Sequence, residues 1–355
     1  MHCAMKRNQI TLRLLMMLFL GLIYWGCESV KPIQGVEVIP LLEKDLSIRA
    51  IEVVNKDQIW FAANKGTVGV YNGKEFSQIV LHHKDRLLHF RAIAHNGVDA
   101  FALTIDNPAL LYRLTFDGNQ ITSAKLVYQE HGDGVFYDAI GFWNEEEGIA
   151  VGDPTDGCLS LIVTRDGGDN WTKLDCDELP QTHEGEALFA ASNGSMSLKQ
   201  GMTYIATGGT KARVFESEDK GRTWQVHQTP LMQGQSMRGI FSMDQHNRDE
   251  LVIYGGDWSN QANNSNNKAY SNDGGMTWQL ISPGQGPGYR SSVRFIPSSQ
   301  ARGLIAAGSR GLSVSHNQGD KWTQISDTAI YTLRFLNDTV AYAGGPGYFL
   351  RLNFY

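Results

Sequence analysis

Cysteine is nearly absent from this chain, with four in 355 residues, and proline is scarce at ten. So little cysteine excludes a disulfide-dense scaffold, and no His-Cys cluster accompanies the cysteines to suggest a zinc module. Positive charge is not in excess: 31 Lys and Arg face 37 Asp and Glu, a formal net of −6. That balance speaks against a nucleic-acid surface, which needs a basic face. The longest uninterrupted apolar stretch near the N-terminus, LLMMLFLGLIYW, has 12 residues, short of the ~20 that a membrane helix requires. There is no HExxH among the 10 histidines, and the Gly-Gly pairs end apolar runs rather than open helices. Metalloprotease and dinucleotide-binding chemistry therefore lack their marker sequences.

The N-terminus has its own pattern. Lys6, Arg7 and Arg13 precede the apolar stretch, and Gly26-Cys27 follow it. A basic start, a short apolar run and a small residue predict an export signal over 1–26. Cysteine directly after that small residue resembles a bacterial lipoprotein signal, although Tyr24 and Trp25 are bulkier than usual there. The resemblance implies lipidation at Cys27, a tether over 27–34 and a membrane-anchored envelope protein. A cleaved signal with a soluble periplasmic product is the alternative.

Glycine, by contrast, is plentiful, with 38 residues. Six fall in one eight-residue frame, TRDGGDNW (164–171), SEDKGRTW (217–224), SNDGGMTW (271–278) and SHNQGDKW (315–322). The pattern is Ser/Thr-x-Asp-x-Gly-x-x-Trp, with Asn317 in place of Asp in the last copy. Trp171, Trp224, Trp278 and Trp322 recur at 53, 54 and 44 residues, the spacing of repeated supersecondary units. A hairpin turn explains the residue types. Asp166, Asp219 and Asp273 accept hydrogen bonds from turn amides, Gly takes the positive φ, and Trp plugs the turn. These residues are scaffold. If 164–171 is such a turn, its ladder sets Cys158 opposite Cys176, within the ~4.4–6.8 Å Cα range of a disulfide.

The frame resembles the Asp-box, or BNR, repeat of sialidases, sortilin-type receptors and photosystem assembly-factor propellers. Seven apolar openings accompany it: SIRAIEVV (47–54), HFRAIAHN (89–96), YDAIGFW (137–143), GEALFAA (185–191), SMRGIFSM (236–243), YRSSVRFI (289–296) and IYTLRFLN (330–337). The last unit ends at LRLNFY with three strands, while GVEVIPLL (35–42) has no unit of its own. The expectation is one all-β domain over 35–355, a seven-bladed β-propeller whose N-terminal strand supplies the missing outer strand and closes the ring. SNQANNSNN (259–267) is expected to be a surface loop.

In such blades the start of strand one and the turn from two to three lie opposite the boxes. The first set carries Arg49, Arg91, Asp138, Glu186, Arg238, Ser291 with Arg290 beside it, and Tyr331. The second carries Lys65, Asp106, Asp153, Thr210, Arg213, Asp257, Trp258, Arg310 and Pro346. One reading pairs Arg49, Arg91 and Arg238 with Asp138, Glu186 and Asp153. The other makes this mouth a grip for a polar or anionic ligand or a partner's segment, with Trp258 and Tyr289 as stacking faces.

From about 135 to 350, GDPTDG, LPQTHEGEALFAAS, TGGTKARVFES, GPGYRSSV and AAGSRGLSVS are similar to exported BNR-repeat propellers related to photosystem II stability/assembly factors. The resemblance implies a protein partner on an arginine-lined face, here Arg49, Arg91, Arg238 and Arg290. The shared motifs are specific for the fold and silent on reaction; no cofactor, no metal, no catalysis and a monomer are expected. The alternative is a sialidase-like glycan hydrolase using converging carboxylates such as Asp153 and Asp257. Against it, the early Arg-Ile-Pro segment of sialidases is missing, and Arg294-Phe-Ile-Pro297 sits far along the chain.

Overall fold

The computed structural model describes residues 32–355, apart from Asp106 and Asn119. The export signal, Cys27 and Asp106 therefore lie outside the described residues. Ile33–Tyr355 form one compact unit.

The box turns are built alike in all four copies. Ser or Thr donates to the Asp or Asn side-chain oxygen two residues on, through Thr164–Asp166, Ser217–Asp219, Ser271–Asp273 and Ser315–Asn317, at 2.8–2.9 Å. The same hydroxyl accepts from the amide of Gly168, Gly221, Gly275 or Gly319. The Asp or Asn oxygen then accepts from the amide before the tryptophan. Each turn thus satisfies its own backbone within eight residues, which is why a local sequence frame suffices to encode it. Trp171 is buried, whereas Trp224, Trp278 and Trp322 are only partly covered, so three of the expected plugs act as lids packed against neighbouring cores.

Gly168 shows how tight these turns are. Its φ is +88°, and an added Cβ would lie 2.3 Å from the Phe101 ring. Gly168→Ala is expected to cost about 1–3 kcal/mol, read as a lowered urea midpoint with unchanged slope.

Between turns, apolar alternation makes antiparallel strands. Among the described residues there are four four-stranded sheets, one of six strands, one of seven and a two-stranded ribbon. Phe90–His95, Ala100–Thr104, Ala109–Asp117 and Gln120–Glu130 make one four-stranded sheet, in chain order from one side to the other. The seven-stranded sheet is held together by the long strand Val36–Asn55. Its first half pairs with Pro346–Phe354 (Val36↔Phe354, Val38↔Leu352) and its second half with Gln58–Ala63 (Ile51↔Phe61). The sheets bury their faces on one another. Trp60 and Ala62 pack with Phe90 and Ile93, Phe101 with Tyr137 and Ile140, and Ile305 with Leu333 and Leu350. Ile48 and Phe61 pack against Tyr342 and Phe349, joining the two ends of the series. The fold is an all-β propeller.

Two details differ from expectation. GEALFAA is not an inner strand: only Glu186–Ala187 is extended, pairing with Gly208–Gly209, and the inner strand is Met196–Lys199. Leu-Phe-Ala-Ala has the composition of a strand, but small polar Ser192-Asn193-Gly194-Ser195 follows, and Asn193 takes φ +52°, which ends extension. The Cys158–Cys176 disulfide is present, with Cα atoms 5.6 Å apart, yet no ladder sets it. The hairpin pairs only Ile162↔Lys173 and Val163↔Thr172, and Cys176 begins a short 3-10 turn, Cys176–Glu178. The run Asp-Cys-Asp-Glu has poor strand propensity, so the ladder stops early.

Candidate functional site

Because the boxes join third to fourth strands, the inner strands start on the opposite side of the ring. Arg49 and Arg91 stand at such starts. The Arg49 guanidinium lies 3.9 Å over the Tyr331 ring, and its buried Nε has no hydrogen-bond partner. Arg91 donates to His89 Nε2 at 3.2 Å and to the Ala190 carbonyl at 3.3 Å. Burial, and then the Arg49 charge, push Arg91 down to about 10. Tyr289 and Tyr331 interact electrostatically with both arginines, and neither tyrosine hydroxyl has a hydrogen-bond partner among the described residues.

The acids at this mouth behave differently from the expected pairing. Asp138 is fully buried, and neither carboxylate oxygen makes a hydrogen bond of normal geometry. Burial, then the charge of Asp153, raise it well above the carboxylate range, while Arg91 and the Ala190 amide oppose them. Asp153 accepts from Leu188 N at 2.7 Å, and burial raises it to about 6. A carboxyl whose folded pKa exceeds its unfolded value costs stability as pH rises through the gap between them. Asp153→Asn keeps the acceptor for Leu188 and removes the charge. It is expected to stabilise by about 1–3 kcal/mol at pH 7 and by nothing near pH 3, read from urea unfolding across pH.

Other predicted site residues are committed elsewhere, which corrects the pairing of Arg238 and Glu186. Arg238 holds Asp257 at 2.8 Å, because the two are directly opposed across one hairpin. Asp257 also accepts from Ser259 and Asn260 amides, so it starts the Asn-rich loop. Glu186 is locked by Arg213 at 2.5 and 2.9 Å and by Thr207 Oγ1 at 2.6 Å. Arg290 is buried, donating to Tyr289 O and Ser313 Oγ. Tyr289 meets Phe241 edge-on at 4.7 Å and is 4% exposed, so its ring offers no stacking face. Trp258 is half-exposed and Arg310 exposed. Lys65 pairs with Asp45, Thr210 bonds the Glu184 carbonyl, and Pro346 pairs in the seven-stranded sheet. The mouth thus brings together Arg49, Arg91, Asp138, Asp153, Tyr289 and Tyr331.

Sequence reasoning missed what fills the channel behind it. The segment 189–195 crosses the ring. Asn193 Nδ2 reaches Ile93 O and its Oδ1 takes Ile140 N; Gly194 O accepts from Met243 N, and Ser192 O from Thr332 Oγ1. It also missed the opposite mouth, a cavity of about 390 Å³ lined by Glu52, Lys199, Asp244, Arg294 and Arg334. The available signal was a charged residue on the channel side of a strand, as in SVRF and TLRF. Among the described residues no group of three or more His, Cys, Asp or Glu is arranged to hold a metal.

A family model for the BNR/Asp-box repeat matches residues 269–280. No curated protein matches the sequence. Among solved structures, "YCF48 bound to D1 peptide" superposes with a TM-score of 0.63 at 14% identity, covering 92% of this chain and 96% of that one. YCF48 from Cyanidioschyzon merolae gives 0.63 at 15% identity, covering 90% and 99%. A GH74 enzyme from Niastella koreensis gives 0.55 at 14% identity, covering 88% of this chain but 43% of its own.

Proposed function

We propose that this β-propeller, which carries BNR/Asp-box repeats, is a non-catalytic binding protein that takes a segment of a partner protein ending in a free carboxylate at the box-free mouth. The observation that carries the reading is the pair Arg49 and Arg91: two adjacent guanidinium groups with no carboxylate hydrogen-bonded to either among the described residues. A carboxylate entering the mouth meets both cations in a partly desolvated setting, where charge-assisted hydrogen bonds are strong. Tyr289 and Tyr331 lie beside both arginines, with hydroxyls that have no hydrogen-bond partner among the described residues. Asp138 does not repel it as a full charge, since burial favours its neutral form. A structural neighbour is described as bound to a peptide, which supports a protein ligand for this fold.

The same reading takes the ring as seven-bladed and closed by Val36–Glu43, supported by the pairing of that segment with Pro346–Phe354. It places the protein outside the cytoplasm, monomeric and anchored through lipid on Cys27, supported by the leader sequence. Mass spectrometry of the mature chain tests the anchor: an unmodified Cys27 removes it.

The test of binding uses fluorescein-labelled peptides ending in a free carboxylate, alongside the same peptides amidated. Amidation is expected to weaken binding about tenfold or more, and Arg49→Gln/Arg91→Gln to abolish the difference. Equal binding of both forms to the wild type contradicts the proposal. A glycan hydrolase is the second reading, favoured by the coupled carboxyls Asp138 and Asp153. It needs two carboxyls that both reach the glycosidic bond, whereas Asp138 is fully buried here. No turnover of fluorogenic glycosides is expected.

A further inference from the structure

The cavity at the box-side mouth lies at the far ends of the inner strands, and Asn193 of the crossing segment is among its lining residues. Its charged groups divide into two kinds. Lys199 and Asp244 satisfy each other at 2.7 Å, and Asp244 also accepts from Phe295 N at 2.8 Å. Arg294, Arg334 and Glu52 are not so paired. Arg294, 9% exposed, directs Nη1 to the carbonyls of Met243 and Val293, and its Nε and Nη2 have no hydrogen bond among the described residues. Arg334 donates to the carbonyls of Leu333, Ser192 and Asn193 and to Thr332 Oγ1, and its Nε has no hydrogen bond among the described residues. Glu52 feels the charge of both arginines, yet no hydrogen bond or ion pair joins it to either. An acid and two guanidinium groups therefore face one space without touching. Phe142, Met196, Leu198, Phe295 and Phe335 supply apolar wall.

We propose that this cavity binds a small zwitterion with an apolar side chain, of the free α-amino-acid type. The carboxylate sits on Arg294 and Arg334, the ammonium faces Glu52, and the side chain lies against the Phe142, Met196 and Phe295 wall. The choice follows from charge. A simple anion leaves Glu52 facing it, and a simple cation meets two arginines; only a molecule with both ends satisfies all three groups. A volume of about 390 Å³ lies within the usual ~300–1,000 Å³ of small-molecule sites. Burial also raises Glu52 to about 7, the condition of a carboxylate lacking a partner, which an ammonium group would reverse. This site is separate from the peptide mouth: the segment 189–195 lies between, its Ala190 carbonyl taken by Arg91 and its Asn193 carbonyl by Arg334.

The test is isothermal titration of the mature chain with leucine and phenylalanine, each also as the N-acetyl and the carboxamide derivative. Saturable one-to-one binding of a free amino acid is expected, weakened about tenfold or more by blocking either end. Glu52→Gln should weaken the free amino acid about tenfold and leave the N-acetyl form unchanged. Arg49→Gln/Arg91→Gln should leave amino-acid binding intact, which separates failure here from failure of the peptide proposal. The proposal is overturned if neither leucine nor phenylalanine binds at about 10 mM. It is equally overturned if N-acetyl-leucine binds as well as leucine, or if binding follows Arg49 and Arg91 instead of Glu52. Should Glu52→Gln fail to fold, the blocked derivatives on wild-type protein still decide.

Discussion

Deleting residues 33–45 should cost the protein its cooperative fold. Val36–Glu43 is the only strand paired along the outer side of Pro346–Phe354 among the described residues. Without it that strand becomes an open edge of unpaired amides carrying Leu350, Leu352 and Phe354, a template for aggregation. The loss also strips Val36 and Val38 from the core around Leu350 and Leu352, and Leu41 and Leu42 from the core around Phe349. Removing four partly buried aliphatic side chains alone forfeits several kcal/mol, at about 1.5–3 kcal/mol for each one fully buried. That is comparable to the whole stability of a typical domain, about 5–15 kcal/mol. The expected result is aggregated protein, or a melting transition lowered and broadened. A synthetic peptide spanning 33–46 added in trans should restore a sharp transition by occupying the open edge. A deleted chain that melts like the wild type contradicts this role.

Arg213→Met should destabilise the ring more than Gly168→Ala does. Glu186 is 4% exposed, and Arg213 supplies two of its hydrogen bonds. Removing the guanidinium leaves a carboxylate that water cannot reach, so the cost is the loss of a buried partner, about 3–5 kcal/mol. Methionine keeps much of the volume, which separates charge from cavity. Combining it with Glu186→Gln should recover most of the loss, because the uncharged amide can accept from His183 N through its oxygen and donate to Thr207 Oγ1 through its NH2. Urea unfolding of the two singles and the double measures this coupling. Peptide binding by the folded double variant should equal that of the wild type, since Glu186 is a strut of the ring and not part of the mouth. A double variant as unstable as Arg213→Met alone contradicts the pair's role.

The parts legible in the sequence are those encoded locally. A box turn closes its hydrogen bonds within eight residues, so Asp166, Asp219, Asp273 and Asn317 announce their roles without tertiary information. Strand alternation likewise identifies the starts at Arg49 and Arg91. Which groups meet across sheets is not legible in this way. Arg238 and Asp257 are an exception, for pairing SMRGIFSM with LVIYGGD sets them opposite one another. Asp138, Asp153 and Arg91 belong to different strands, and burial decides their state. The crossing segment 189–195 is hidden because Leu188-Phe189-Ala190-Ala191 has the composition of a strand, and only the filled channel reveals the difference. Arg294 stands in plain view in the sequence but reads as a fragment of an unrelated motif, since period-two alternation does not say which mouth a residue faces.

Hydrogen–deuterium exchange of the mature protein with and without a bound carboxylate-ending peptide tests the central claim most directly. Slower exchange at the amides flanking Arg49, Arg91, Asp138, Tyr289 and Tyr331, with the four tryptophan turns unchanged, is the predicted footprint. Protection gathered on those turns instead, with the two arginine strands indifferent to the peptide, would contradict it.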